Sequence, residues 1–131
     1  MTSFKFDHIH LFSRDPEATA SFYEDNLGAQ VIRTTVGGKP RIDLKLGGAN
    51  IFILDARGDA RAAAGPAHPQ LGLDHFGLEV KNIDAVCADL KAKGVIFTRG
   101  PETVRPGTRI AFLTAPEGVS IELLERTPVP A

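Results

Sequence analysis

The amino-acid sequence contains two copies of one pattern, placed one after the other along the chain. Residues 7–11 (Asp-His-Ile-His-Leu) return further along the chain as residues 74–78 (Asp-His-Phe-Gly-Leu). Two strand-like segments, 48–54 and 118–124, correspond in the same way. A repeated unit of this size indicates two equivalent modules, each of which brings the same positions to the same place in its own structure.

Other signals recur in the same order between these two pairs of segments. Gly28 and Gly94 each follow a helical pattern and are typical helix C-terminal glycines. Arg41 and Arg109 come next and are interpreted as repeat equivalents. The spacing between corresponding segments varies slightly from pair to pair, which indicates small insertions in turns. Each half therefore predicts a strand, a helix and then three strands.

The predicted fold class is α+β, with two paired βαβββ modules in one structural domain. The first module is predicted over residues 1–57 and the second over residues 73–126. An Ala-, Gly- and Pro-rich linker, 58–72, joins them, and residues 127–131 form a tail. The predicted strands are residues 4–12, 29–36, 41–46, 50–54, 73–80, 95–97, 109–114 and 119–124, and the predicted helices are residues 16–26 and 83–93.

Composition excludes several classes of protein. The 131 residues are 43% hydrophobic and 24% charged, with a net charge of −1, which is typical of a globular domain. Without a basic block, we expect neither a nucleic-acid nor a membrane partner. A single cysteine, Cys87, excludes an intrachain disulfide and a multi-cysteine zinc site. The N-terminus lacks an apolar signal core, so we expect no export and a cytoplasmic location.

Three residues predict a metal site. His75 is the repeat copy of His8, so both imidazoles are expected to converge in one cleft. Glu122 interrupts an otherwise apolar strand, and a carboxylate buried there needs a partner. Two histidines and one carboxylate bind divalent metals and leave positions open for substrate and water. We therefore expect the eight strands to form a cup around a metal held by His8, His75 and Glu122.

We also expect catalytic and substrate-binding residues in the same cleft. His10 shares a strand face with His8 and is the first candidate for a catalytic base, although a core role is equally compatible. Glu122 is the second candidate, if it leaves the metal during the reaction. The predicted substrate contacts are three arginines, which would bind a carboxylate or phosphate, and two phenylalanines, which would pack against apolar parts of the substrate: Arg41, Arg105, Arg109, Phe52 and Phe112. Solvated strand ends are the alternative for the arginines.

Four remaining polar or reactive residues are expected to serve other roles. Cys87 falls on the apolar stripe of the second predicted helix and is expected in the core. His68 falls in the Pro-rich linker and is expected to be solvated. Asp7 and Asp74 are expected to face away from the cleft, in surface or turn roles.

Residues 7–11, 22–28 and 115–123 together resemble the vicinal oxygen chelate superfamily, over residues 4–126. This superfamily includes glyoxalase I, methylmalonyl-CoA epimerase, extradiol dioxygenases, fosfomycin-modifying enzymes and bleomycin-binding proteins. The resemblance implies paired βαβββ modules around one divalent ion (Fe, Mn, Zn, Ni or Co), and it matches His8, His75 and Glu122 to the family's ligand positions. It also implies a homodimer that acts on a small-molecule substrate.

One departure from the family pattern leaves the reaction open. Glyoxalase I and the epimerase take a fourth ligand from the last strand of the first module, where the repeat places Phe52. The small size favours a lyase or isomerase that stabilises an enediolate or alkoxide. The missing ligand favours an Fe(II) extradiol-type dioxygenase acting on a catechol. A metal-free binding or resistance protein is the third hypothesis.

Overall fold

The computed structural model describes residues 3–129 and divides into two compact units, with the boundary between Ala63 and Ala64. The boundary falls inside the predicted linker. The first two and last two residues, which belong to the predicted first module and tail, lie outside the described residues. The first unit contains β1 (Ile9–Ser13), α1 (Pro16–Leu27), β2 (Gln30–Val36), β3 (Lys39–Leu46) and β4 (Ala49–Asp55). The second contains β5 (Phe76–Glu79), α2 (Ile83–Ala92), β6 (Ile96–Arg105), β7 (Thr108–Ala115), a 3₁₀ turn (Pro116–Gly118) and β8 (Val119–Arg126).

Both units have the same sheet topology. The strand order is β1-β4-β3-β2 in the first sheet and β5-β8-β7-β6 in the second. The first strand of each unit runs parallel to the last, and the other neighbours are antiparallel. The predicted α+β class, with two βαβββ modules and eight strands, is confirmed.

Each sheet has one face that packs against its own helix. In the first module, α1 contacts β3 and β4, and the side chains of Leu44, Ile51 and Ile53 are buried. In the second, Leu113, Ile121 and Leu123 are the corresponding buried side chains. Because side chains alternate along a strand, the residues between them project from the opposite face. We call this opposite face of each sheet the far face.

The two helices begin in different ways. At α1, Asp15 Oδ1 accepts a hydrogen bond of 3.1 Å from the Ala18 amide, and Pro16 follows as the first helical residue. At α2, Asn82 makes no side-chain cap. Cys87, on α2, is buried as predicted. Among residues 3–129, neither helix has the length and apolar character needed to cross a membrane.

Glu125 of β8 replaces the missing cap of α2. Its carboxylate accepts hydrogen bonds from the backbone amides of Asn82 (2.6 Å) and Ile83 (3.3 Å). A carboxylate at a helix N-terminus satisfies free amides and interacts favourably with the helix dipole. Glu125→Ala is therefore expected to lower the free energy of unfolding by about 1 kcal/mol, measured by urea denaturation. Glu79→Ala, which removes an exposed carboxylate from β5, is the control and should change stability less. Equal losses in both variants would contradict the capping role.

Three strands depart most from their predicted limits. β1 begins at Ile9 rather than at residue 4, and β5 begins at Phe76 rather than at residue 73. Phe4 and Phe6 are 95% and 71% exposed, so the apolar alternation before β1 does not enter the sheet. β6 continues to Arg105 instead of ending at residue 97, because its ladder shifts register past Gly100 and Pro101.

The strand register corrects the predicted equivalence of Arg41 and Arg109. Asp43 is the ladder partner of Phe52, and Phe112 is the ladder partner of Glu122. Because Phe52 and Glu122 occupy equivalent positions of the two modules, Asp43 corresponds to Phe112 and Arg41 corresponds to Ile110. A shift of one position turns a side chain to the other face, so Arg41 and Arg109 lie on opposite faces of their sheets.

Candidate functional site

His75 and Glu122, two of the predicted metal ligands, are neighbours in the second module. His75 immediately precedes β5, and Glu122 lies in β8 opposite Gly77. His75 Nε2 is 3.1 Å from Glu122 Oε1, and the two side chains are 30% and 22% exposed. Since Gly77 has no side chain, nothing from β5 covers the Glu122 carboxylate on the far face.

Asp74 fixes the orientation of the His75 ring. Its Oδ2 is 2.7 Å from His75 Nδ1. The hydrogen bond to Asp74, with a smaller contribution from Glu122, raises the pKa of His75 against the opposing effect of burial. The same hydrogen bond lowers the pKa of Asp74. When the neutral imidazole carries its proton on Nδ1, its Nε2 lone pair lies toward Glu122. This tautomer is the one that can bind a metal through Nε2.

His68 joins this group from the loop before β5. Its Nδ1 lies 2.6 Å from Asp74 Oδ2, and its ring stacks on Phe112 with a centroid distance of 5.2 Å. Phe112 is the β7 ladder partner of Glu122. The donor atoms of His68, Asp74 and His75 lie within 4.8 Å of one another.

One expectation from the sequence is therefore corrected: Asp74 contacts His75 and His68 instead of facing away. His68 is exposed, as expected, but its ring also contacts Asp74 and Phe112. The path of a Pro-rich loop is not readable from residue patterns, which is why His68 was missed. The Asp-His pair that occurs at both repeat positions was the available signal for Asp74.

The first module repeats part of this arrangement. His8 Nδ1 is 2.7 Å from Asp7 Oδ2, which reproduces the Asp74–His75 hydrogen bond. Phe52 is the β4 ladder partner of His10, just as Glu122 is the partner of Gly77. Phe52 thus occupies the position that holds a carboxylate in the second module. Its ring stacks on His8 at a centroid distance of 4.3 Å.

Arg41 lies beside Phe52, so these two predicted substrate contacts are brought together. The guanidinium carbon is 4.8 Å from the Phe52 ring centroid, and Arg41 Nε is 3.1 Å from Asp43 Oδ1. The His10 ring meets Phe52 edge-on at 6.1 Å. This far face therefore carries a cation, a carboxylate, two imidazoles and an aromatic ring.

The other predicted substrate contacts are separated in the second module. Phe112 lies on the far face against His68 and His75. Arg109 lies on the face that packs against α2, where it donates to Asp84 at 2.5 Å and to Thr103 at 2.8 Å. Arg105 is exposed at the end of β6. Arg109 is therefore not brought together with Phe112.

The His75 and Glu122 donor atoms fit a divalent ion. An imidazole nitrogen and a carboxylate oxygen are ligands for zinc and for first-row transition metals. Two ligand atoms at about 2.0–2.2 Å from one ion lie about 3 Å apart when they are adjacent in its coordination sphere. The 3.1 Å separation of Nε2 and Oε1 is compatible with this arrangement. Asp74 on Nδ1 supplies the orienting carboxylate that accompanies many metal-bound histidines.

Comparison with known proteins identifies the family. The family model described as Glyoxalase/Bleomycin resistance protein/Dioxygenase superfamily matches residues 5–123. A Vibrio cholerae protein named "Probable lactoylglutathione lyase" is 31% identical over an alignment of 133 positions. The alignment covers 95% of this chain and 93% of that protein. The crystal structure of a glyoxalase family protein from Enterococcus faecalis has a TM-score of 0.70 at 30% identity. The match covers 92% of this chain and 97% of the Enterococcus faecalis chain.

Two further kinds of match are narrower. Two Arabidopsis thaliana relatives named as lactoylglutathione lyases align over 60 residues only, and the match spans 17% and 21% of their length. The fosfomycin resistance protein FosX from Listeria monocytogenes has a TM-score of 0.74 at 19% identity, covering 96% of both chains, which shows the fold alone. Because the family model matches nearly the whole chain, this protein belongs to the glyoxalase/bleomycin resistance protein/dioxygenase superfamily.

Proposed function

We propose that the protein is a metal-dependent lyase or isomerase of the glyoxalase type that acts on a small α-hydroxycarbonyl or thioester substrate. The observation that carries the proposal is the pairing of His75 Nε2 with Glu122 Oε1, with Asp74 holding the opposite ring nitrogen. Relatives named lactoylglutathione lyase support this class of reaction and suggest S-lactoylglutathione as a probe compound.

The proposed ligand set contains His8, His75 and Glu122. His8 is included because it is the repeat copy of His75 and carries the same aspartate hydrogen bond, here from Asp7. Phe52 supplies no ligand atom, so three protein groups would leave positions for substrate oxygens and water. The ion is Fe, Mn, Zn, Ni or Co.

The bound ion would supply positive charge that stabilises an anion developing on two adjacent substrate oxygens. The residues of the chain would orient the substrate and move its protons. Phe52 offers an apolar surface, and Phe112, which is buried against His68 and His75, would lie behind the substrate. Arg41 and Arg105 offer positive charge to a substrate carboxylate or phosphate. His10 and Glu122 are the predicted acid–base groups, and Arg109 is left out because Asp84 and Thr103 engage it.

Metal loading provides the direct test of this function. The protein, purified without an affinity tag and stripped of metal, is loaded separately with each of the five ions and analysed for bound ion. We expect roughly one tightly bound ion per chain and conversion of S-lactoylglutathione or its hemithioacetal precursor only in the loaded protein. A protein that takes up none of the five ions would overturn the enzyme proposal and leave the binding-protein hypothesis.

The Fe(II) dioxygenase is the second candidate function. It is favoured by Phe52, because the loss of a fourth ligand leaves two histidines and one carboxylate, the set used by many non-haem Fe(II) oxygenases. Oxygen uptake by the Fe(II)-loaded protein with catechol distinguishes the two reactions. Uptake with catechol, without conversion of the thioester probe, would replace the lyase proposal by the dioxygenase.

The assembly and location also remain proposals. We propose a homodimer in the cytoplasm that binds a small-molecule substrate. Light scattering of the purified protein measures the assembly directly, and a monomeric mass would contradict the dimer.

A further inference from the structure

His68 is held in a fixed position beside the proposed ligands without belonging to the ligand set. Its ring lies nearly parallel to Phe112, at an interplanar angle of 28°, and almost perpendicular to His75, at 83° with 5.8 Å between centroids. Its Nδ1 is directed to Asp74. One contact fixes the plane of the ring and the other fixes its rotation, so a loop residue gains a defined orientation.

The two nitrogens of His68 differ in their surroundings. Within the described part of the second module, its polar contact is made by Nδ1 with Asp74, and its Nε2 has no hydrogen-bond partner. His75, by contrast, uses Nδ1 toward Asp74 and Nε2 toward Glu122. A neutral imidazole that donates from Nδ1 to a carboxylate keeps the lone pair of Nε2, which is the atom that can accept a proton.

Asp74 is itself fixed, which makes it a suitable support for His68. Its Oδ1 accepts a hydrogen bond of 2.6 Å from the Gln70 backbone amide, and its Oδ2 contacts both imidazoles. The carboxylate therefore joins the loop that carries His68 to the residue that carries the proposed metal-binding nitrogen. Movement of His68 relative to His75 would require these contacts to break.

We propose that His68, held by Asp74, is the general base that removes the proton from the carbon next to the substrate carbonyl. This inference rests on the proposed lyase or isomerase function and names a base other than His10 or Glu122. It places the substrate on the far face of the second module, beside His75, Glu122 and Phe112. No part of this role is assigned to His68 by the resemblance or by the relatives.

The proposed proton transfer is balanced for an α-hydroxycarbonyl substrate. His68 Nε2 takes the proton of the hydroxyl-bearing carbon, and the C–H electron pair forms a double bond to the carbonyl carbon, whose oxygen becomes negative. The hydroxyl proton then passes to the former carbonyl oxygen, and the imidazolium returns its proton to the former carbonyl carbon. A new carbonyl forms at the carbon that carried the hydroxyl, so no oxidant or reductant is consumed.

Hydrogen–deuterium exchange tests this role with S-lactoylglutathione as the probe. The metal-loaded protein is incubated with the thioester in D₂O, and loss of the proton next to the carbonyl is followed by ¹H NMR. We expect His68→Gln to slow the exchange by about 10²–10⁴-fold while the bound metal per chain stays unchanged. Gln70→Ala, which removes a side-chain contact with the Leu73 carbonyl in the same loop and keeps the amide bound to Asp74, is the control.

Nitrogen-15 NMR, on the metal-free protein and then on the loaded protein, gives a second readout that does not depend on the exchange rate. We expect His68 to carry its proton on Nδ1, toward Asp74, and we expect its Nε2 resonance to shift when S-lactoylglutathione is added to the loaded protein. A proton on Nε2 in the neutral form, or a Nε2 resonance unaffected by the thioester, would overturn the proposal.

The remaining outcomes separate this inference from the proposed function. A His68→Gln protein that keeps its metal and exchanges at the wild-type rate would overturn the role of His68 alone. Loss of metal in His68→Gln would assign the residue to metal binding and also overturn its role as base. A wild-type protein that binds no metal would overturn the proposed function. A wild-type protein that binds metal without exchanging the proton would overturn the role of His68 as general base.

Discussion

Glu122→Gln is expected to weaken the binding of a divalent ion by at least about 100-fold, because it replaces an anionic ligand by a neutral amide of the same shape. The negative charge of Glu122 lies 3.1 Å from the Nε2 atom that would share the ion. Calorimetric titration of the metal-stripped protein with Ni, Co or Zn measures the change directly.

Glu79→Gln is the matched control for this substitution. Glu79 lies on the same far face, further along β5 than Gly77, and pairs with Arg126 rather than with a histidine. It should bind the ion as the wild type does, since the change in charge is identical and only its position differs. Wild-type affinity in Glu122→Gln would exclude Glu122 from the ligand set.

Gly100→Ala is expected to lower the free energy of unfolding by roughly 3 kcal/mol or more. Gly100 has φ of +76°, and a Cβ there would overlap the Ile110 carbonyl oxygen and stand 2.9 Å from Ala111 Cα. Both atoms belong to the backbone of β7, which cannot move without disturbing the sheet. Urea denaturation followed by circular dichroism measures the loss.

Gly118→Ala separates the steric clash from the cost of the backbone angle. Gly118 has a similar φ of +72°, but a Cβ there would meet no atom within 4 Å. Its cost should therefore be limited to about 1 kcal/mol for a left-handed alanine. Equal destabilisation by the two substitutions would show that the close approach to β7 contributes nothing.

Most of the fold was predictable because the repeat fixed the order of elements before any single strand was assigned. α1 begins at Pro16 and α2 at Ile83, which are the first residues of the two predicted helices. The extension of β6 was not predictable, because Gly100 and Pro101 are residues that normally interrupt a strand. They are accommodated where the ladder with β7 changes register.

The candidate site was only partly predictable for two physical reasons. The neighbourhood of His75 and Glu122 followed from strand alternation and the repeat, because Glu122 is the ladder partner of Gly77 and His75 lies two residues before Gly77 along the chain. The contribution of His68 depended on the path of a loop, which has no periodicity. Arg109 lies on the helix-packed face rather than beside Phe112. An error of one position in aligning two strands reverses the face on which a side chain lies.

The two far faces differ in chemistry at three matched ladder positions. These positions hold His10, Asp43 and Phe52 in one module and Gly77, Phe112 and Glu122 in the other. The helix-packed positions beside them in β3, β4, β7 and β8 are apolar and buried. The apolar side of each sheet, which packs against its helix, is therefore separate from the side that carries the polar and aromatic groups. Substitutions at 10, 43 and 52 would change the chemistry of the first module's far face and leave its helix-packed side intact.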